Sequence, residues 1–204
     1  MKYNLPKKYL SWSQMECFEK SRTEYTKKYI IGSTFEGSIE MDFGKRFATA
    51  VENDDKVFLK PIYENLIRYD KCEEYIEAIF DGVKILGYKD TSQNGGFREY
   101  KTGKTKWTQN KVDKHGQLYM YSLIDTLNGH TIPLVHLDWF ETKNVYVRST
   151  PVDVELTGRV ETFELVLAQE DIENFKERVI KCLEGITLLY NDYLEEQKLS
   201  TGTE

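Results

Sequence analysis

Two carboxylates and a lysine fall close together in the middle of this sequence, namely Asp90, Glu99 and Lys101. The stretch 91–96 is rich in turn formers, and the segments on either side of it read as strands of a β-hairpin. If Asp90 pairs with Phe97, the alternation of side chains along each strand places all three charged groups on one face of the sheet. The pattern therefore predicts a site built from these three side chains.

Two carboxylates that converge on one point repel each other unless a cation lies between them, and an all-oxygen site suits a hard ion such as Mg²⁺ or Mn²⁺. Such an ion activates a water and screens an anionic substrate, while a neighbouring lysine orients the water and offsets charge on a phosphoryl oxygen. The predicted reaction is phosphodiester hydrolysis. Glu99 and Lys101 could also be an ordinary surface ion pair on an exposed strand. The hairpin alone does not distinguish this alternative from a catalytic site, so the rest of the chain must be considered.

Four further motifs accompany Glu99-Tyr100-Lys101 along the chain. They are an opening helix that starts Leu10-Ser-Trp-Ser-Gln, the spacing Gly44–Ala48–Glu52, the segment Gly87-Tyr88-Lys89-Asp90, and the pair Gln117 and Tyr121. In this order the motifs resemble those of the PD-(D/E)XK nuclease superfamily, in particular its RecB-like or Cas4-like exonuclease branch. There they correspond to the first helix, GxxxHxxxE, GxxD and QxxxY, with Glu99-Tyr100-Lys101 as the (D/E)xK element.

The resemblance implies a fold and a set of roles. The fold is α/β, with a mixed central β-sheet flanked by helices and a restriction-endonuclease-like core. Asp90 and Glu99 would bind the metal together with the Tyr100 carbonyl, and Lys101 would assist the water. Glu52 would approach the metal from a helix, directly or through water. Gln117 and Tyr121 would hold the substrate beside the site.

The chain departs from the family pattern at two points. Ala48 stands where the motif has a histidine, so a nitrogen donor is missing and we expect Mg²⁺ to suit the site better than Mn²⁺. The cysteines are Cys17, Cys72 and Cys182, too few for the four-cysteine iron-sulfur cluster of some relatives and without a zinc-type spacing. We therefore expect no iron-sulfur cluster.

The composition limits the class of protein. At 204 residues with 40% hydrophobic content, the chain suits a single domain over 1–198, followed by a disordered tail over 199–204. It has no apolar run near 18 residues and no signal-peptide pattern at its start, so we expect no membrane association and a cytoplasmic location, in a bacterial cell or a phage-infected host.

The formal net charge of -6 argues against general affinity for nucleic acid, so DNA binding has to be local. Basic residues do cluster just after the proposed site, at Lys101, Lys104, Lys106, Lys111 and Lys114. We predict that Lys104 and Lys106 contact a phosphate backbone and that Trp107 stacks on a base, although a solvated loop would look the same.

The elements expected around the hairpin follow from hydrophobic spacing and capping residues. We predict helices at 13–30, 41–53, 57–80, 110–127 and 170–197, with Ser13 and Glu16 capping the first and a loop over 31–40. We predict strands at 84–90, 97–104, 131–141, 144–148 and 160–167.

Together these observations predict a Mg²⁺-dependent deoxyribonuclease, more specifically an exonuclease that processes DNA ends in recombination or repair. A catalytically silent nucleic-acid-binding or regulatory subunit with the same fold is one alternative, favoured by Ala48 and the acidic balance. A restriction-type endonuclease is another. The sequence leaves open whether the partner besides DNA is a second copy of the chain or a recombination or repair protein.

Overall fold

The protein is described by a computed structural model that covers residues 2–34 and 37–201. These residues form a mixed six-stranded sheet. Its strands are β1 (Tyr9–Ser11), β2 (Lys71–Phe80), β3 (Val83–Gln93), β4 (Gly96–Gly103), β5 (Leu134–Val147) and β6 (Thr150–Leu165). Strand β3 pairs antiparallel with β2 along one edge, and its other edge is divided between β1, which is parallel to it, and β4, which is antiparallel. Strands β5 and β6 continue the sheet beyond β4.

Helices cover both faces of this sheet. They are α1 (Trp12–Lys20), α2 (Arg22–Tyr25), α3 (Ile39–Glu52), α4 (Gln109–Val112), α5 (Gly116–Leu127) and α6 (Gln169–Thr201). One buried cluster joins α1, α5 and α6 to the sheet and includes Trp139 and Phe97, and a second joins α3 to β4, β5 and β6 through Phe47, Tyr100 and Phe140. The predicted α/β architecture, a mixed sheet flanked by helices, is confirmed.

The hairpin of β3 and β4 forms as predicted, but with a different register. The turn consists only of Asn94 and Gly95, with Gly95 at a φ of +85°, a backbone conformation that favours glycine, and Ser92 rather than Asp90 pairs with Phe97. The register therefore differs from the expected one by two residues, which brings Asp90 opposite Glu99. Strands β3 and β4 pair only through Gln93↔Gly96, Ser92↔Phe97 and Thr91↔Arg98, and they diverge at Asp90.

The prediction of a helix over 57–80 is wrong. The segment contains a short 3-10 turn at Tyr63–Asn65 and then the edge strand β2. Cys72, Ile76 and Ile79 have helical spacing, but Ile79 is 65% exposed, whereas Ile76 and Ala78 alternate as buried residues of a strand. The error placed Glu73 on a supporting helix, although it lies beside the candidate site.

Other boundaries also differ from the expected ones. The first predicted helix is divided into α1, α2 and a π-helical turn at Thr26–Ile31, and its N-cap is Ser11 rather than Ser13. The predicted helix over 110–127 is divided into α4 and α5, and the predicted strands over 131–148 form the single strand β5. The last strand, β6, begins at Thr150, ten residues before the predicted start.

Two expected irregular segments extend beyond the described residues. The predicted loop over 31–40 ends early because α3 starts at Ile39, and its residues 35–36 lie outside the described part of the chain. Helix α6 continues through 199–201, which we expected to be disordered, and 202–204 lie outside the described part. Within the described residues, every helix is either too short or too polar to cross a bilayer.

Candidate active site

Asp90 and Glu99 come together where β3 and β4 diverge. Beyond this point the backbone amide of Tyr100 has no partner in β3, and it instead donates to Asp90 Oδ2 at 2.5 Å. The carboxyl group of Asp90 also contacts that of Glu99, which is 2% exposed. Burial and the charge of Glu99 hold the pKa of Asp90 well above its usual range, and burial likewise raises the pKa of Glu99. The predicted convergence of the two carboxylates is thus present.

Lys101 completes the predicted trio. Its Nζ lies 2.7 Å from Glu99 Oε1 and 2.8 Å from Gln117 Oε1. Burial disfavours the ammonium, but the charges of Glu99 and Asp90 outweigh this effect, so the pKa of Lys101 is raised and the group stays protonated. An ammonium has three N–H donors, and two are directed at these oxygens, which leaves one for a water or a phosphate oxygen.

Gln117 and Tyr121 hold Lys101 from α5. Gln117 Nε2 donates to the Tyr121 hydroxyl at 2.8 Å. The Tyr121 ring lies directly against Gly87, where a Cβ atom would overlap it. Gly87 therefore permits the close contact that fixes Tyr121, Gln117 and, through them, Lys101. In this structure both members of the pair touch the site, and Gln117 contacts the lysine itself.

Replacing Gly87 by alanine is expected to disturb this chain of contacts. The added methyl group would displace the Tyr121 ring, which is 5% exposed, and overpacking of this kind costs about 1–3 kcal/mol. Thermal unfolding measures the loss of stability. Gly44→Ala is the matched control, because no atom lies within 4 Å of the added Cβ and alanine favours the helix α3. Equal melting temperatures for the two variants would contradict the assigned contact.

A small cavity of about 80 Å³ opens beside Asp90, on the face of the sheet covered by α3. Ala48 and Glu73 line it together with Asp90. Glu73 has a left-handed φ of 49° in β2, and burial, Asp90 and Glu52 raise its pKa. Glu52 is the last residue of α3 and is exposed, and its charge contributes to the raised pKa of Glu73. Glu73 is thus a neighbour of the site that the sequence reading missed.

The site has a feature that fits a cation. One carboxyl oxygen of Glu99, Oε2, is buried without any hydrogen-bond partner in the structure, which is costly for a charged group. Within residues 2–34 and 37–201, no three His, Cys, Asp or Glu side chains converge closely enough to hold a metal ion by themselves. Mg²⁺ commonly uses only one or two carboxylates and completes its shell with waters and substrate phosphate oxygens, so the pair Asp90 and Glu99 remains compatible with this ion.

The other three residues predicted to bind substrate contact partners other than Asp90, Glu99 and Lys101. Lys104 is 3.2 Å from Glu40 at the start of α3, and Lys106 is 2.7 Å from Glu161 on β6. Trp107 is 8% exposed, and the Lys111 ammonium covers its ring at 3.9 Å from the centroid. Stacking of a base on Trp107 would require this side chain to rearrange, and the predicted roles of all three residues remain predictions.

The sequence matches no known family model, and no curated protein matches it. Among solved structures, the chain is similar to the crystal structure of a "Putative exonuclease" from Eubacterium rectale. The similarity covers 97% of this chain and 83% of the other, with a TM-score of 0.55 and 12% sequence identity. At this identity the likeness shows a shared fold and does not extend to the activity.

Proposed function

We propose that this protein is a Mg²⁺-dependent deoxyribonuclease that hydrolyses phosphodiester bonds at Asp90, Glu99 and Lys101. The observation that carries the proposal is the contact between the half-buried carboxyl group of Asp90 and the buried carboxyl group of Glu99, one oxygen of which lacks any donor, beside a protonated lysine. Two such groups are destabilising in a protein interior unless a proton or a cation neutralises them. A phosphodiester bound to a divalent cation at this point would lie within reach of the Lys101 ammonium.

The roles of the side chains follow from these contacts. Asp90 and Glu99, with the Tyr100 carbonyl, would hold the ion, and Glu52 would support it or one of its waters. A bound Mg²⁺ supplies a water of lowered pKa and screens the phosphate charge. Lys101 would act as a donor that orients the water and stabilises charge on a phosphoryl oxygen. Gln117 and Tyr121 fix its position.

Within this class we favour an exonuclease that processes DNA ends in recombination or repair, in the cytoplasm of a bacterial cell or a phage-infected host. The motif order that resembles the RecB-like branch supports this reading, and the Eubacterium rectale protein of similar fold is called a "Putative exonuclease", which bears on the exonuclease part alone. A restriction-type endonuclease would use the same chemistry. Circular DNA separates the two, because only an endonuclease converts it to nicked or linear forms.

Two observations favour the second candidate, a silent nucleic-acid-binding or regulatory subunit. The structure has two carboxyl groups in contact but no convergent third ligand among its described residues, and Ala48 leaves a cavity on one side of Asp90. A calorimetric Mg²⁺ titration distinguishes the candidates, because a silent module has no reason to bind the ion.

The deciding experiment is the incubation of the purified protein with linear and circular DNA in Mg²⁺, in Mn²⁺ or in chelator. We expect cleavage only with metal, and we expect Lys101→Ala to reduce turnover by about two orders of magnitude or more, the usual scale for a main electrostatic contributor. Lys143→Ala, which removes an exposed ion pair on β5, is the control and should cleave at the parental rate. A Lys101→Ala protein that is folded normally and cleaves DNA at that rate too would overturn the assignment.

A further inference from the structure

A groove leads away from Lys101 across the surface of the protein. Two cavities form it, one of about 540 Å³ that contains Lys101, Gln117 and Tyr121, and one of about 570 Å³. The two cavities share Trp12, Glu16 and His115 as walls, so they adjoin each other on the surface. Each lies in the size range of ligand pockets, roughly 300–1,000 Å³.

The end of the groove near Lys101 is aromatic. Tyr88 and Tyr9 line it and are 52% and 37% exposed. The ring of Tyr75, on the neighbouring strand β2, lies 5.3 Å from that of Tyr88 and supports it from outside the groove. Exposed and positioned aromatic rings beside a polar site are the features on which unpaired bases stack.

The far end of the groove is basic. Lys20 and Arg178 are held there by Glu16 and Glu19, but Lys111 and Lys114 form no ion pair with any residue of the described chain. The ammonium of Lys111 lies over the face of Trp107, which holds it in place. The positive charges of Lys111 and Lys114, which no carboxylate compensates in the described chain, complement the phosphates of a nucleic-acid backbone.

We propose that this groove binds one unpaired DNA strand, with its scissile phosphate at Lys101, its bases on Tyr88 and Tyr9, and its continuing backbone at Lys111 and Lys114. Bases in a duplex are stacked on one another and expose only their edges, so a tyrosine platform selects a single-stranded segment or a frayed end. The inference rests on the proposed nuclease function, and it adds a substrate class and four residues that this function does not require.

Binding is tested without metal, so that no cleavage occurs. A fluorescently labelled oligothymidine of 12 nucleotides and a hairpin duplex of the same length are titrated by anisotropy in chelator. We expect Tyr88→Ala to bind the single strand about tenfold more weakly, on the scale of losing one stacked base, and Tyr88→Phe to bind like the parent. Tyr146→Ala, at a similarly exposed tyrosine outside the groove, is the matched control. Lys114→Gln should make the plot of log binding constant against log salt concentration shallower, by the amount that corresponds to about one lost phosphate contact.

A second substrate separates this inference from the proposed function. An oligomer of abasic tetrahydrofuran units is a phosphodiester chain without bases or aromatic rings, so Tyr88→Ala should hydrolyse it at the parental rate in Mg²⁺ while its KM for the oligonucleotide rises. If Tyr88→Ala binds the single strand as tightly as the parent, or if the parent prefers the duplex, the groove assignment is wrong even where hydrolysis shows the nuclease proposal to be right. A parent that binds the single strand through Tyr88 but hydrolyses neither substrate would support the groove and overturn the nuclease.

Discussion

Replacing Asp90 by asparagine is expected to abolish Mg²⁺-dependent DNA cleavage, with a loss of at least about two orders of magnitude, and at the same time to stabilise the metal-free protein. The asparagine amide oxygen can take the place of Asp90 Oδ2 and accept the hydrogen bond from the Tyr100 N–H. Its NH2 group can donate to Glu99 Oε2, which has no hydrogen-bond donor in the parent protein. A charge repulsion thus becomes a hydrogen bond, while the negative charge needed for the cation is lost.

The gain in stability should depend on pH. The pKa of Asp90 is raised in the folded protein, so this group does not reduce stability below the ordinary carboxyl pKa of about 4, where it is protonated in both states. As the pH rises from there through the pKa of the folded state, the free energy of unfolding decreases. The asparagine variant has no such loss. In chelator its melting temperature should therefore exceed that of the parent by a few degrees at pH 8, and by less at pH 5.

The exposed Asp192 on α6 provides the control, since Asp192→Asn should leave the melting temperature unchanged at both pH values. Added Mg²⁺ should stabilise the parent and the control but not Asp90→Asn. If Asp90→Asn melts below the parent at pH 8, then the two carboxyl groups do not repel each other in the native state, and the electrostatic argument for a cation loses its basis.

Replacing Asp138 by alanine is expected to destabilise the protein by about 3–5 kcal/mol, the usual effect of leaving a buried charge unpaired. Arg98 Nε and Nη2 donate to the two Asp138 oxygens at 2.6 and 2.8 Å, and the side chains are only 4% and 3% exposed. Thr162 of β6 also donates to Asp138 at 2.5 Å, so the pair ties β4, β5 and β6 together next to Glu99. Urea denaturation measures the change in the free energy of unfolding.

The double variant Arg98→Met with Asp138→Leu should recover much of that loss, because an apolar pair of similar volume leaves no charge behind. Lys143→Ala, which breaks an exposed pair with Glu155, sets the scale for a surface contact and should cost less than about 1 kcal/mol. If Asp138→Ala is as stable as Lys143→Ala, then Arg98 is not left unpaired in the variant, because it pairs with another residue or becomes hydrated.

The trio at the site could be predicted from the sequence because the information is local. Asn94-Gly95 is a strong two-residue turn signal, and a hairpin with this turn brings Asp90 and Glu99 together. We allowed the turn to extend over 91–96, so the expected register was off by two residues. An even shift keeps the faces of the strands, and the convergence of the side chains was therefore still predicted.

The neighbours of the trio depend on contacts that are distant in sequence. Glu73 lies in a segment where apolar residues match a helix and a strand equally well, and only its pairing with β3 decides for the strand. The polar run Glu141-Thr142-Lys143 suggested a break, yet β5 continues through it because β6 supplies hydrogen-bond partners across a bulge. Likewise, no local pattern indicates that Glu40 and Glu161 hold Lys104 and Lys106.

The early separation of β3 from β4 gives the protein a spectroscopic probe of its own. Where these two strands pair, their backbones hydrogen-bond to each other, but the Tyr100 N–H donates to the carboxylate of Asp90. Its proton chemical shift and its rate of exchange with solvent deuterium therefore report directly on the protonation and the ligands of that carboxylate. A single resonance in a ¹⁵N-labelled sample can follow occupancy of the site during a titration, without any substrate.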